Sequence, residues 1–364
     1  MPTPVPSHPY LSRLEPYEPP DLEIAAAHAN VAVDDLIRLV ANENLFGPSP
    51  RVAQALASFG QYHFHPDYGP LKEAVARFAG VSPDQVVLSN GADEMIDLLI
   101  RLFVEPGEAI VTCPPTFSMY RFYARVNRCR ELTAPRREDL SLDVAAVERV
   151  VRESNGRARL LFIVSPGNPS GQAIPLPEVE RLLQLPLLVA VDEAYIEFGG
   201  ESAVALLPNH GNLVVIRTFS KWAGMAGLRL GYALLAPALA GYLERIRPPY
   251  NVNAAAMVAA LATFEDLGAV QANVARLIEA REQLQEELTA ISWLEPLPSQ
   301  ANFILCQVKG RDSRTVADAL LQRGILIRQF SGPQMRGDSG GGYIRISVGR
   351  PQENETLVAA LKST

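Results

Sequence analysis

One lysine stands in the run Thr218-Phe219-Ser220-Lys221-Trp222-Ala223-Gly224-Met225-Ala226-Gly227-Leu228-Arg229, after a hydroxyl residue and ahead of several small ones. Asp192 lies upstream, closing the apolar run 185–191. A lysine by itself is ordinarily a solvated surface charge. Apolar and small neighbours can bury the amine and lower its pKa, leaving a neutral nucleophile near pH 7. An amine that can form a Schiff base, an anion facing a pyridinium nitrogen and donors around a phosphate are what pyridoxal 5′-phosphate requires of a protein.

Other residues extend that set. Asp192 at the end of a strand would project at the carboxyl edge of a sheet, where open α/β folds bind ligands; its alternative role is a helix N-cap. Tyr195 and Asn168 could both reach the cofactor's phenolic oxygen, although Asn168 also sits in the turn-forming run 165–171. Gly91, Ala92 and Asp93 follow Asn90 where a strand meets a helix, so their N–H groups could cradle a phosphate. Ser220 and Arg229 would add a hydroxyl and a fixed positive charge. Phe117 could stack on the pyridine face or simply fill the core. Arg328 and Arg345 each interrupt an apolar strand near the C-terminus, which is costly unless an anion or an intrachain carboxylate meets them.

These residues need a scaffold of strands and helices to bring them together. Short apolar runs at 85–89, 109–112, 159–164, 187–191 and 212–216 read as strands, and 71–78 and 95–103 have helical spacing. Continuous apolar strands alternating with helices predict a mostly parallel sheet covered on both faces. Residues 254–288 predict one long bridging helix, followed by strands at 301–305, 324–328 and 343–348. The expected organisation is an extended Pro-rich arm over 1–35, a large domain over 36–250 and a small α+β domain over 251–364. The glycines at 340–342 read as a loop.

The bulk composition sets outer limits. A chain of 364 residues with net charge −7 has room for two domains and argues against a nucleic-acid partner or an anionic membrane surface. No apolar stretch approaches the roughly 20 residues of a membrane span, and the N-terminus lacks a signal-peptide pattern. Three scattered cysteines suit a reducing cytoplasm, and the five histidines lack metal spacing. No phosphate-binding G-x-x-x-x-G-K or G-x-G-x-x-G run is present.

With these residues in view, the chain resembles the fold-type I pyridoxal-phosphate-dependent aminotransferases of class I/II. The Lys221 and Asp192 blocks carry that resemblance. Asn42-Glu43-Asn44 with Gly47-Pro48, Asn90 to Glu94, Val191 to Phe198 and Pro249 to Asn253 resemble the branch that acts on histidinol phosphate. The resemblance implies a seven-stranded, mostly parallel sheet sandwiched by helices plus a smaller C-terminal domain. It implies transamination between L-histidinol phosphate and 2-oxoglutarate in a cytoplasmic homodimer with shared active sites.

By the same resemblance, Lys221 holds the cofactor and moves the substrate proton, while Asp192, Tyr195 and Asn168 tune the ring. Gly91, Ala92, Asp93, Ser220 and Arg229 hold its phosphate. Asn44, Asn168, Arg328 and Arg345 bind substrate. The pattern departs at His65, where a tyrosine reaching the partner's cofactor is usual; Tyr62 and Tyr68 lie nearby. Phe117, Gly167 and Trp222 are further departures. Alternatives on the same scaffold are a threonine phosphate decarboxylase, an aromatic or other amino-acid aminotransferase, and a cofactor-sensing regulator.

Overall fold

The computed structural model describes residues 20–330 and 342–364, together with Tyr10, Leu14, Pro16 and Met335. Twelve strands form two sheets among the described residues. In chain order they are β1 (Ile37–Leu39), β2 (Val86–Ser89), β3 (Ala109–Thr112), β4 (Arg130–Thr133), β5 (Ala158–Val164) and β6 (Leu188–Asp192). Then come β7 (Leu213–Thr218), β8 (Gly231–Leu235), β9 (Leu294–Pro296), β10 (Phe303–Val308), β11 (Ile325–Phe330) and β12 (Tyr343–Ser347).

The larger sheet has seven strands in the order β2-β8-β7-β6-β5-β3-β4. β8 runs antiparallel to both of its neighbours, and the other pairings are parallel. The apolar runs are continuous because each face of this sheet packs on its own core. Leu161 and Ile163 of β5, Val189 and Val191 of β6, and Leu213 and Val215 of β7 enter one core. The alternating Leu160, Phe162, Leu188, Ala190, Val214 and Ile216 enter the other. Side chains that alternate between two buried faces leave no polar phase in the sequence.

The smaller sheet has the order β1-β11-β12-β10-β9. β1 pairs in parallel with β11, so Ile37–Leu39 belongs with the C-terminal strands and not with the larger sheet that the boundary at 36 implied. The expected extended arm also contains a helix, Leu22–Ala29, whose N-terminal N–H groups are accepted by the Asp21 carboxylate. Its alanines bury against the small sheet, a signal the prolines before it obscure. The rest of the arm, and Gly340 and Gly341 of the expected loop, lie outside the described residues.

The long bridging helix is in fact two, Ala254–Glu265 and Leu267–Thr289, bent by 85°. Asp266 sits at the corner, and its carboxylate accepts the Ser49 hydroxyl, which draws the corner toward the 47–50 segment. No single described helix is long and apolar enough to cross a membrane. Trp222 is fully buried and stacks on Phe78 at 5.3 Å, so its bulk fills the core beneath Lys221.

One glycine fixes how the lysine loop docks. Gly224 has φ +66, and a Cβ there would come within 2.5 Å of the Gly47 carbonyl carbon and 2.8 Å of the Pro48 nitrogen. Both are backbone atoms, so the two loops would have to separate. Gly224→Ala should lower unfolding stability by about 2–4 kcal/mol, combining left-handed strain with the clash. Urea denaturation checks this, and an unchanged midpoint would contradict the close approach.

Candidate active site

The parallel strands deliver their carboxyl ends to one edge of the large sheet, and a cavity of about 630 Å³ opens there. Ala92 and Asp93 follow β2, Phe117 follows β3, Asn168 follows β5, Asp192 closes β6, and Ser220 and Lys221 follow β7. All of them line this cavity, together with Tyr195, Arg229, Arg328 and Arg345. A volume of this size suits a cofactor with a small substrate.

Lys221 lies on the cavity wall and donates from Nζ to the Ala41 carbonyl at 2.8 Å. Burial, reinforced by the charges of Arg345 and Arg229, lowers its pKa from 10.5 to about 8; Glu43 opposes the shift. A sizeable fraction of the amine is therefore neutral at physiological pH, as a nucleophile or base requires.

Asp192 follows the strand parity of Leu188 and Ala190, so it points to the face where Tyr120 packs. The Tyr120 hydroxyl donates to Asp192 Oδ2 at 2.6 Å, and the Ala194 N–H donates to Oδ1 at 3.0 Å. Burial pushes the Asp192 carboxyl up to about 6, while those two donors pull the other way. A cation facing it would favour the charged form further. No α-helix starts at Asp192; its hydrogen bond to Ala194 closes a turn, and the segment continues as a short 3₁₀ turn over Ile196–Phe198. Phe117 stands edge-on to Tyr120 with centroids 5.7 Å apart and presents to the cavity, which makes it more than core filling.

The helix Gly91–Phe103 begins at the cavity with no side chain capping its N-terminus. Its first N–H groups are thus available to an anion. A Cβ on Gly231 would lie 2.7 Å from the Ala92 nitrogen, so only glycine lets β8 approach this cradle. Gly91, with φ +78, leaves room for the Arg229 guanidinium, which would meet a Cβ there at 2.7 Å. Arg229 pairs with Asp93 at 3.0 Å, so the Asp93 carboxylate orients the arginine while its N–H belongs to the cradle. Ser220 is placed by Thr218, whose Oγ1 accepts the Ser220 N–H at 3.1 Å.

Arg328 and Arg345 are directly opposed in the register of β11 and β12. Like charges so placed repel. Arg345 donates to Asn168 Oδ1 and to the Val40 carbonyl, each at 2.7 Å. No carboxylate among the described residues forms an ion pair with Arg328, so the intrachain alternative is not realised there.

Asn44 does not fit the substrate-binding role expected of it. Its Nδ2 donates to the Trp222 carbonyl and its Oδ1 accepts the Phe46 N–H, both at 3.0 Å, and it does not line the cavity. Both ends of its amide go to holding loops. Tyr68 is likewise committed within the chain, accepting the Val252 N–H at 2.9 Å. His65 stacks on Tyr250 at 4.1 Å, and Tyr62, Phe64 and Tyr250 are exposed.

Sequence reasoning missed Tyr120, Thr218, Ala41 and Asn42. Tyr120 has a weak signal, as an aromatic on the helix after β3, whereas the Ala41 carbonyl has none. The site as a whole fits pyridoxal phosphate: a half-buried amine on the cavity wall, a buried carboxylate with an aromatic wall, and an uncapped helix start beside an arginine. Capture of that aldehyde by cofactor-free protein needs neutral Lys221, so its rate should rise with pH and reach half its maximum near 8. Arg345→Met removes a positive neighbour and should move that midpoint upward. A midpoint near the ordinary lysine value of about 10.4 in both proteins would contradict this environment.

The matches to known proteins agree with this geometry. The family model for aminotransferase class I and II matches residues 34–361. A histidinol-phosphate aminotransferase of Roseiflexus castenholzii is 44% identical over 97% of this chain and 96% of its own. Another from Dehalococcoides mccartyi is 40% identical over 96% of this chain and 98% of its own. The crystal structure of the Sinorhizobium meliloti histidinol-phosphate aminotransferase, in complex with pyridoxal-5′-phosphate, superposes with a TM-score of 0.87 at 28% identity, covering 98% of this chain and 96% of that one. The chain belongs to the aminotransferase class I and II family.

Proposed function

We propose that this protein transfers an amino group between L-histidinol phosphate and 2-oxoglutarate, giving imidazole acetol phosphate and glutamate, in histidine biosynthesis. The observation that carries this is the opposed pair Arg328 and Arg345 lining the same cavity as Lys221. A phosphate and a carboxylate are both met by guanidinium forks, so one arginine pair can receive either substrate in turn. The full-length relatives favour this substrate over phosphothreonine decarboxylation or a general amino-acid exchange.

Bound pyridoxal phosphate supplies an aldehyde and an electron-withdrawing ring. The chain's own groups do the rest. Asp192, steadied by Tyr120, would set its negative charge against the ring nitrogen. Tyr195 and Asn168, hydrogen-bonded to each other on the cavity wall, would meet the cofactor's phenolic oxygen. The Gly91–Phe103 helix start, Ser220 and Arg229 would hold its phosphate. Lys221 Nζ, released from the Ala41 carbonyl, would take the proton from the substrate Cα and deliver it to the cofactor's aldehyde carbon, two atoms along the Cα–N–C path. Arg328 and Arg345 fix the anionic group so that this proton lies within reach.

A cytoplasmic homodimer is part of the same reading. Exposed Tyr62, Phe64 and Tyr250 gather beside the 65–68 segment and offer an apolar face to a second copy. Sedimentation should show a dimer, and Phe64→Glu should shift it toward monomer; a monomeric wild type would reject this part.

Incubation with L-histidinol phosphate and 2-oxoglutarate should yield glutamate. Lys221→Ala should lower the rate by at least about 100-fold, and Arg328→Met should reduce kcat/KM for histidinol phosphate by about 10–100-fold. Release of CO2 from O-phosphothreonine with no glutamate formed would reject the reading.

A further inference from the structure

We propose that Asn42 is a positioning residue that aims the Tyr195 hydroxyl proton into the cavity, and that it does so from the smaller sheet. Asn42 is buried and holds a left-handed backbone, φ 55, which asparagine tolerates better than most residues. Four contacts clamp it. Its N–H donates to Ser347 Oγ at 2.9 Å, and its carbonyl accepts from Asn302 Nδ2 at 2.9 Å. Its Oδ1 accepts from Ser347 Oγ at 3.1 Å, which leaves Nδ2 to donate to the Tyr195 hydroxyl oxygen at 3.0 Å. Ser347 closes β12 and Asn302 precedes β10, so the clamp belongs to the small sheet.

Asn168 is oriented by similar logic. The Arg345 guanidinium can only donate, so Asn168 turns Oδ1 to it and Nδ2 to Tyr195 at 3.3 Å. Two amide donors therefore converge on one phenolic oxygen and fill its acceptor directions. The hydroxyl hydrogen is left for the cavity that Tyr195 lines beside Lys221 and Asp192. The two donors make Tyr195 a hydrogen-bond donor toward whatever oxygen faces it there. In the proposed function, on which this inference rests, that oxygen is the cofactor's phenolic oxygen.

A donor at that oxygen favours its anionic form, so losing the donor should raise the pH midpoint of the bound cofactor's absorbance change. The test uses enzyme loaded with pyridoxal phosphate. Asn42→Gly keeps the positive-φ backbone and removes the amide. It should raise the midpoint by about one pH unit, tenfold in proton affinity. Tyr195→Phe should shift it likewise, and Asn42→Gly added to Tyr195→Phe should add nothing. Asn42→Asp, an isostere whose carboxylate would accept the Tyr195 proton, should shift the midpoint in the same direction.

An unchanged midpoint in the single variants, or a full additional shift in the Tyr195→Phe background, overturns the proposal. A wild-type protein that develops no visible absorbance with pyridoxal phosphate rejects the functional reading and this inference with it.

Discussion

Lowering the proton affinity of one amine beside several arginines is the constraint around which this structure is arranged. Lys221 is half-buried between Arg345 and Arg229, and both charges press its proton off. In the proposed function the same arginines receive anions, so a single arrangement serves nucleophile and ligand together. The amine rests on a backbone carbonyl, Ala41, which accepts a hydrogen bond without adding a full negative charge. A carboxylate in that place would restore the ammonium form and remove the nucleophile.

That carbonyl belongs to a short segment joining the two sheets. β1 leaves the small sheet at Leu39, and the next residues cross the cavity. The Val40 carbonyl accepts from Arg345, the Ala41 carbonyl from Lys221, and Asn42 reaches Tyr195. Asn44 ties the loop to the Trp222 carbonyl, next to the lysine. The register of both sheets is thereby transmitted to one polar cluster. Gly224, with no Cβ, lets the lysine loop lie directly on Gly47 and Pro48. Close approach of loops, rather than bulk burial alone, sets the distances in this site.

The residues legible in the sequence were those whose chemistry is rare in its surroundings. Lys221 among small residues, Asp192 closing an apolar strand and Arg328 and Arg345 inside apolar strands each violate the local pattern, and each lines the cavity. Five strands of the larger sheet were legible because doubly buried strands read as unbroken apolar runs; the half-exposed β4 and the antiparallel β8 were not, and the count of seven came with the family resemblance. Residues working through backbone atoms or through distant partners were not. Asn42 and Asn44 look equivalent in the run 41–44, yet the amide nitrogen of one donates to Tyr195 and that of the other to the Trp222 carbonyl. β1 and its parallel pairing with β11 depend on contacts across nearly 300 residues, which no periodicity reports. The bend at Asp266 was hidden because helical composition continues through it.

Buried charge is handled in two ways here, and the contrast separates scaffold from site. Arg217 and Glu193 are both buried and paired at 2.9 Å, and Ser202 and the Ala203 N–H complete the carboxylate's partners. Such a pair is balanced within the chain and needs nothing from outside. Arg328 and Arg345 are the reverse: two like charges face each other across β11 and β12. Arg345 donates to two neutral acceptors, the Asn168 amide oxygen and the Val40 carbonyl, and its charge acts on Lys221. In the proposed function that charge, with Arg328 opposite it, meets the anionic group of the substrate.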